Sequence, residues 1–312
     1  NETAGEDNTT NITGSGRLDL APRTTGRAMT VDNNASGAGL HITGDQLNGK
    51  LFGSNFGALS LGNEATGDVT IDGITANNSV TIRTKDTNKV TIGTGGLTVG
   101  GNRRVTLKTG SIENSGGAGA MAVGTGSTLN LYTNSIANLT PSSGSPSVTG
   151  TGTLGISTFN GTKTIGLGDG APGDLQLTND KFTQVFGPNF SHYSIGRLDK
   201  EQQSTINVKN STLSQNTTLQ ANTINFMGDL TLNPGKTLTV NAKTAANQTA
   251  GKIKAANLAA VGGNIALEQA NEIGTLAADA LSVKVKSDAL TIGAITTPAG
   301  ASVPSRTITG VK

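Results

Sequence analysis

The sequence predicts an all-β protein, a parallel β-helix (β-solenoid) with short helical interruptions. Three observations point there: a run of apolar–polar–apolar triplets, an unusual composition, and a core alphabet that can stack on itself. The triplets include Val69-Thr70-Ile71, Val80-Thr81-Ile82, Val90-Thr91-Ile92, Leu97-Thr98-Val99 and Val105-Thr106-Leu107. They return as Leu230-Thr231-Leu232, Leu238-Thr239-Val240, Ile265-Ala266-Leu267, Leu281-Ser282-Val283 and Leu290-Thr291-Ile292. Each has the period-2 signature of a half-buried strand, with Thr on the solvated side. Gly, Asn, Asp and Ser lie between triplets, where the chain must turn.

Composition narrows the class. The 312 residues include 44 Gly, no Cys and no Trp, with only 3% aromatic and 14% charged residues. Thr, Asn and Ser number 47, 30 and 23. Few Lys/Glu pairs and many β-branched residues disfavour helices. A sandwich, a barrel and a solenoid all use many short strands. These strands are too short for a barrel of this length. The triplets persist over most of the chain, and their Val, Ile, Leu and Ala can pile up coil upon coil. A net charge of +2 gives no electrostatic case for nucleic acid. No apolar run is long enough for a membrane-spanning helix. Without cysteine there is no disulfide and no thiolate chemistry. The N-terminal Asn1-Glu2-Thr3 lacks Met and a signal-peptide pattern, and the chain reads as an excised or processed piece of something larger.

A second period lies over the first. Residues 12–20 match 148–156, residues 40–47 match 175–182, and residues 52–62 match 186–196. The offset of about 134 to 137 residues marks two tandem units, 1–147 and 148–312, in one continuous solenoid. The Ser/Pro/Gly stretch 140–146 leads into the second. Each unit is expected to carry one short helix. Thr43 and Gln46 have the spacing of a capping box, Leu47, Leu51 and Phe52 would share a helical face, and Gly53 would end it. In the second unit Lys181 replaces the Gln, so that cap is weaker. Phe52, Phe56, Phe182, Phe186 and Phe190 cluster at these elements. They are read as covers for coils that the triplets leave open.

The order L-x-I-T-x-D-x-L, then F, then L-x-I/L-G, resembles filamentous-haemagglutinin-like exoproteins of Gram-negative bacteria. So does Gly263-Asn264-Ile265-Ala266-Leu267, followed by Asn271-Glu272-Ile273-Gly274. The likeness covers residues 12–110 and 148–297. It implies a right-handed helix, export by two-partner secretion through an outer-membrane transporter, and a secreted or cell-surface location. It also implies adhesion to host-cell glycans or proteins, by a protein expected to be monomeric.

Candidate chemistry concentrates around the second helical element. Asp169, Asp174, Lys181, His192, Tyr193 and Arg197 are the candidate ligand-contact residues, with Asp180, Asp199, Lys200 and Glu201 nearby. The first unit keeps Asp45 but has Ala58 for His192 and Asn63 for Arg197. Paired carboxylates on adjacent coils would instead suit a polysaccharide lyase or hydrolase. Haem ligation by His192 and Tyr193 would suit a haem carrier. A phage tail spike is a further alternative, for which more aromatic residues would be expected. Two histidines do not make a zinc site, and His41, between Leu40 and Ile42, should point outward. No P-loop is present. The expectation is therefore a non-enzymatic shaft with no cofactor and no metal. Asn-x-Ser/Thr sequons, including Asn77, Asn138, Asn160 and Asn216, number about ten, near the chance level for this composition.

Overall fold

The computed structural model describes residues 14–33, 39–47, 56–115, 120–141, 144–198, 204–296 and 302–303. Strands make up 59% and helix 4%, so the class is all-β. Most strands pair in parallel with the strand one turn of chain further on, while Ile295–Thr296 and Ser302–Val303 pair antiparallel. Val80 stands opposite Val105, Leu107 opposite Leu131, and Leu129 opposite Leu154. One turn takes 24 or 25 residues there and 20 or 21 from Leu59 to Val80 and from Thr237 to Asn257, which fits a β-solenoid.

Three ladders run side by side. The first stacks Arg17–Leu20, Ala58–Leu61, Val80–Arg83, the start of Arg104–Asn114, Thr128–Ser135, Thr153–Ser157, His192–Gly196 and the start of Asn216–Met227. The second includes Met29–Asp32, Val69–Asp72, Lys89–Ile92 and the end of Arg104–Asn114. The third stacks Ile74–Ala76, Leu97–Val99, Met121–Val123 and Val148–Gly150. Register places like on like. Leu59, Val80, Val105, Leu129, Leu154 and Tyr193 form one inward column, each at most 3% exposed. Burial of these columns is the main stabilising contribution, at about 25 cal/mol per Å² of apolar surface.

Corners are polar but satisfied. Thr84, Thr109, Thr133 and Thr158 are buried one above another. The Thr84 hydroxyl donates to Thr109 Oγ1 at 2.7 Å, and Thr133 Oγ1 donates to the Gly110 carbonyl at 3.1 Å. Towards the C-terminus the corners are turned without leaving the ladder, so Ile253–Ser287 is one bent strand of 35 residues. Alternating triplets alone predict separate short strands there. The segment carries Ala and Gly where earlier coils have Asn and Asp turns.

The same departure from simple winding occurs twice. Met29–Asp32 pairs with Val69–Asp72 on one side and with an extra parallel strand, Leu40–Thr43, on the other. Ile165–Leu167 likewise pairs with Thr205–Val208 and with the extra strand Leu175–Leu177. A helical turn follows each extra strand. In the first, Thr43 N–H donates to Gln46 Oε1 at 2.9 Å and Gln46 N–H donates to Thr43 Oγ1 at 3.2 Å, the expected capping box. Leu51, Phe52 and Gly53 lie outside the described residues. The second is a π-helical turn, Lys181–Val185, closed by Phe186 N–H on the Lys181 carbonyl at 2.8 Å. The residue before it, Asp180, makes no side-chain cap. The wide turn buries Phe182 and Val185 and delivers Phe186 to a bridge with Val148, which extends the third ladder.

Gly62 and Gly196 end equivalent strands in the two repeats, both with φ of +77°. A side chain on either would run into a carbonyl of the next turn, that of Arg83 or of Gln220. Gly196→Ala is expected to cost about 1–3 kcal/mol, read as a lower urea midpoint with an unchanged slope. An unaltered midpoint would mean that this close approach is not made.

Candidate functional site

The candidate residues gather around the second extra strand, but in separate groups. Asp169 lies in the loop that turns the chain back into Leu175–Leu177. Its carboxylate accepts Asn179 N–H at 3.1 Å and Asn179 Nδ2 at 2.7 Å. Asn179 in turn donates to the Asn210 carbonyl and accepts Thr212 N–H. Asp169 therefore stitches the loop to the next turn of the solenoid.

Asp174 clamps the other end of that loop. It accepts Thr164 N–H at 2.8 Å, the Thr164 hydroxyl at 3.0 Å and Lys163 Nζ at 3.2 Å. These bonds, the Thr164 backbone first, hold its carboxyl below the usual carboxylate range.

Lys181 opens the π-helical turn and reaches the preceding coil. Its ammonium donates to the carbonyls of Leu139 at 2.7 Å, Ile136 at 2.9 Å and Ala137 at 3.2 Å. This coil adds no second-ladder strand after Ser135, so its carbonyls have no ladder donors there, although that of Ile136 also accepts Leu139 N–H at 3.1 Å. Burial lowers the Lys181 pKa, while the three carbonyl dipoles favour the charged form. Gln46, in the equivalent place of the first repeat, is spent on its own capping box. A groove of about 300 Å³ separates the two segments, lined by Ser135, Ile136, Ala137, Asp174, Gln176, Thr178 and Lys181. Its two charged groups are held by the bonds just described.

His192 and Tyr193 begin a first-ladder strand. Tyr193 is wholly buried, its ring packed on Phe182 at 5.2 Å and Phe190 at 6.1 Å between centroids. With Phe186 these rings form an aromatic plug inside the coil, the covering role expected for the Phe cluster. Tyr193 presents no surface to a ligand. His192 is 7% exposed, and among the described residues its Nδ1 has no hydrogen-bond partner. Burial lowers its pKa to about 4, against a hydrogen bond with the Asn216 backbone. Arg197 turns away from this cluster and lies over the Tyr132 ring, 4.3 Å from its centroid.

Two contacts escaped the sequence reading. His41 does face away from the core, but it is 21% exposed and its Nε2 lies 2.6 Å from Asp32 Oδ1. Lys108 Nζ lies over the Phe159 ring at 5.3 Å. Neither is a direct cross-strand pair: His41 stands opposite Thr30, and Lys108 opposite Arg83 and Tyr132. Among the described residues, no three or more His, Asp and Glu side chains form a metal-binding group. No helix there is long and apolar enough to cross a membrane. No family model, curated protein or solved structure matches the chain.

His192 gives a pH test. Its folded-state pKa of about 4 lies below the ordinary value of 6.5, so the unfolded chain binds the proton first as pH falls. Its effect is absent above about pH 6.5 and grows as pH drops towards 4. At pH 5 it amounts to about 2 kcal/mol of lost stability. His192→Ala, the residue found at position 58 of the first repeat, should lose less stability between pH 7.5 and pH 5 than the parent chain does. Equal losses in urea melts would contradict a buried neutral imidazole.

Proposed function

We propose that the chain is a rigid segment of an exported adhesin-type protein, a right-handed β-helical shaft built of two tandem units that mediates attachment to host cells or surfaces. The observation that carries this reading is the continuous parallel ladder with outward columns of Thr, Ser and Asn. Such a stack resists bending and offers small polar groups on most of its rungs. The polar groups of the candidate cluster support the same reading, since Asp169, Asp174 and Lys181 bind neighbouring turns of the chain itself. The resemblance of residues 12–110 and 148–297 to filamentous-haemagglutinin-like exoproteins adds the secreted or cell-surface location and a two-partner secretion transporter. Contact is then multivalent and involves no chemical step.

The test uses the 312-residue chain displayed in many copies on fluorescent beads. Saturable attachment to cultured epithelial cells, competed by free chain, is the expected outcome. Attachment no greater than that of beads bearing an unrelated β-rich protein would overturn an adhesive role for this segment.

A further inference from the structure

The chain has two histidines, one at each place where it doubles back, and their surroundings are opposite. His41 is on the extra strand Leu40–Thr43, partly exposed, 2.6 Å from the Asp32 carboxylate of the strand it pairs with. A proton on His41 turns that contact into an ion pair. His192 follows the π-helical turn. It is buried, and among the described residues its Nδ1 has no hydrogen-bond partner. A proton there places a charge where nothing accepts it.

The elements packed around His192 supply no counter-charge. Its cross-strand partners are Thr153 and Asn216. Neither Thr153–Ser157 nor Asn216–Met227 contains an acidic or basic residue. The turn before it, Gly187-Pro188-Asn189-Phe190-Ser191, is uncharged too. Gln215, beside Asn216, donates to the Pro188 carbonyl and accepts Lys236 Nζ at 3.3 Å, and Lys236 is itself a cation. Lys181, on the π-helical turn, is directed at carbonyls of the preceding coil. The Tyr193 phenol stays neutral, because burial raises its pKa. Burial lowers the His192 pKa to about 4, opposed by the Asn216 backbone.

What His192 adjoins is weakly tied. Tyr193, the next residue, rests on Phe182 and Phe190. The π-helical turn has five residues and no side-chain cap, and the extra strand before it has three. Such a segment has few ladder bonds of its own to resist local opening.

We propose that the doubled-back segment 175–196 opens in mild acid while its counterpart at 40–43 stays closed, uncovering the Phe182, Phe186, Phe190 and Tyr193 rings as an apolar surface. The device does not depend on the attachment reading. Opening that hydrates His192 becomes about thirtyfold more favourable at pH 5 than at pH 7.5, for a pKa moving from about 4 to 6.5. Asp174, which clamps the same segment, stays ionised at pH 5, since its carboxyl is held below the usual range.

Hydrogen exchange of the 312-residue chain at pH 7.5 and pH 5, corrected for the intrinsic effect of pH on amide exchange, tests this. Amides in 175–196 should lose protection by about ten- to thirtyfold in acid, and those in 40–43 and 80–83 should keep theirs. A dye that fluoresces on apolar surface should bind at pH 5 and not at pH 7.5. Two variants separate the imidazole from general effects of acid. His192→Ala should abolish the response. Thr153→Asp, which sets a carboxylate directly opposite His192, should reduce it. Circular dichroism at pH 7.5 shows which variants are folded, and either one alone serves the comparison. Unchanged protection of 175–196 at pH 5, an equal loss along all three ladders, or the parent chain's acid response in a folded variant would each overturn the proposal.

Discussion

A parallel rung constrains every side chain by the one directly below it. Adjacent strands lie about 4.8 Å apart, so a residue that suits its own coil must also suit the coils on either side. Inward columns therefore carry mainly shapes that stack: Leu, Val and Ile, joined by Ala near the C-terminal end. The same constraint acts at the corners, where Thr84, Thr109 and Thr133 place hydroxyls within reach of the neighbouring hydroxyl or carbonyl. It explains why composition is narrow without being low in information. Each small residue type is repeated because its position is.

The rule is broken where the chain doubles back, and the rest of the local architecture answers that break. An extra strand occupies the N-terminal side of Ile165–Leu167, next to a coil that adds no strand of its own to that ladder. Backbone carbonyls of that coil lose their ladder donors, and Lys181 donates to three of them. The wider interior is filled by Phe182, Phe186, Phe190 and Tyr193. A charged loop and an aromatic cluster, which in sequence resemble a binding site, thus serve mainly to close a packing fault.

Much of the fold is legible in the triplets, because period 2 and turn residues report strand faces and corners directly. The capping box at Thr43 and Gln46 is legible for the same local reason. Partnerships between coils are harder to read. Nothing near Lys108 in sequence places it beside Tyr132, and nothing near Arg197 places it over the same ring. The extra strands are also hidden, since Leu175-Gln176-Leu177 looks like any other triplet. The π-helical turn differs from an ordinary helix through Phe186, which is drawn into a bridge with Val148. The six candidate residues lie around one extra strand but divide into core, clamp and surface positions.

Ladder register underlies the packing account, and the absence of cysteine makes it directly measurable. Thr106 and Asn130 are cross-strand partners, with Asn130 Nδ2 3.4 Å from Thr106 Oγ1, whereas Thr81 and Asn130 stand two rungs apart. Cysteines at 106 and 130 would meet the spacing a disulfide needs, while cysteines at 81 and 130, about 10 Å apart, would not. Mild oxidation followed by mass spectrometry should show an intrachain bond in the first double variant and none in the second. A bond formed equally well in both, or only between 81 and 130, would contradict the stacking of coils on which the whole account depends.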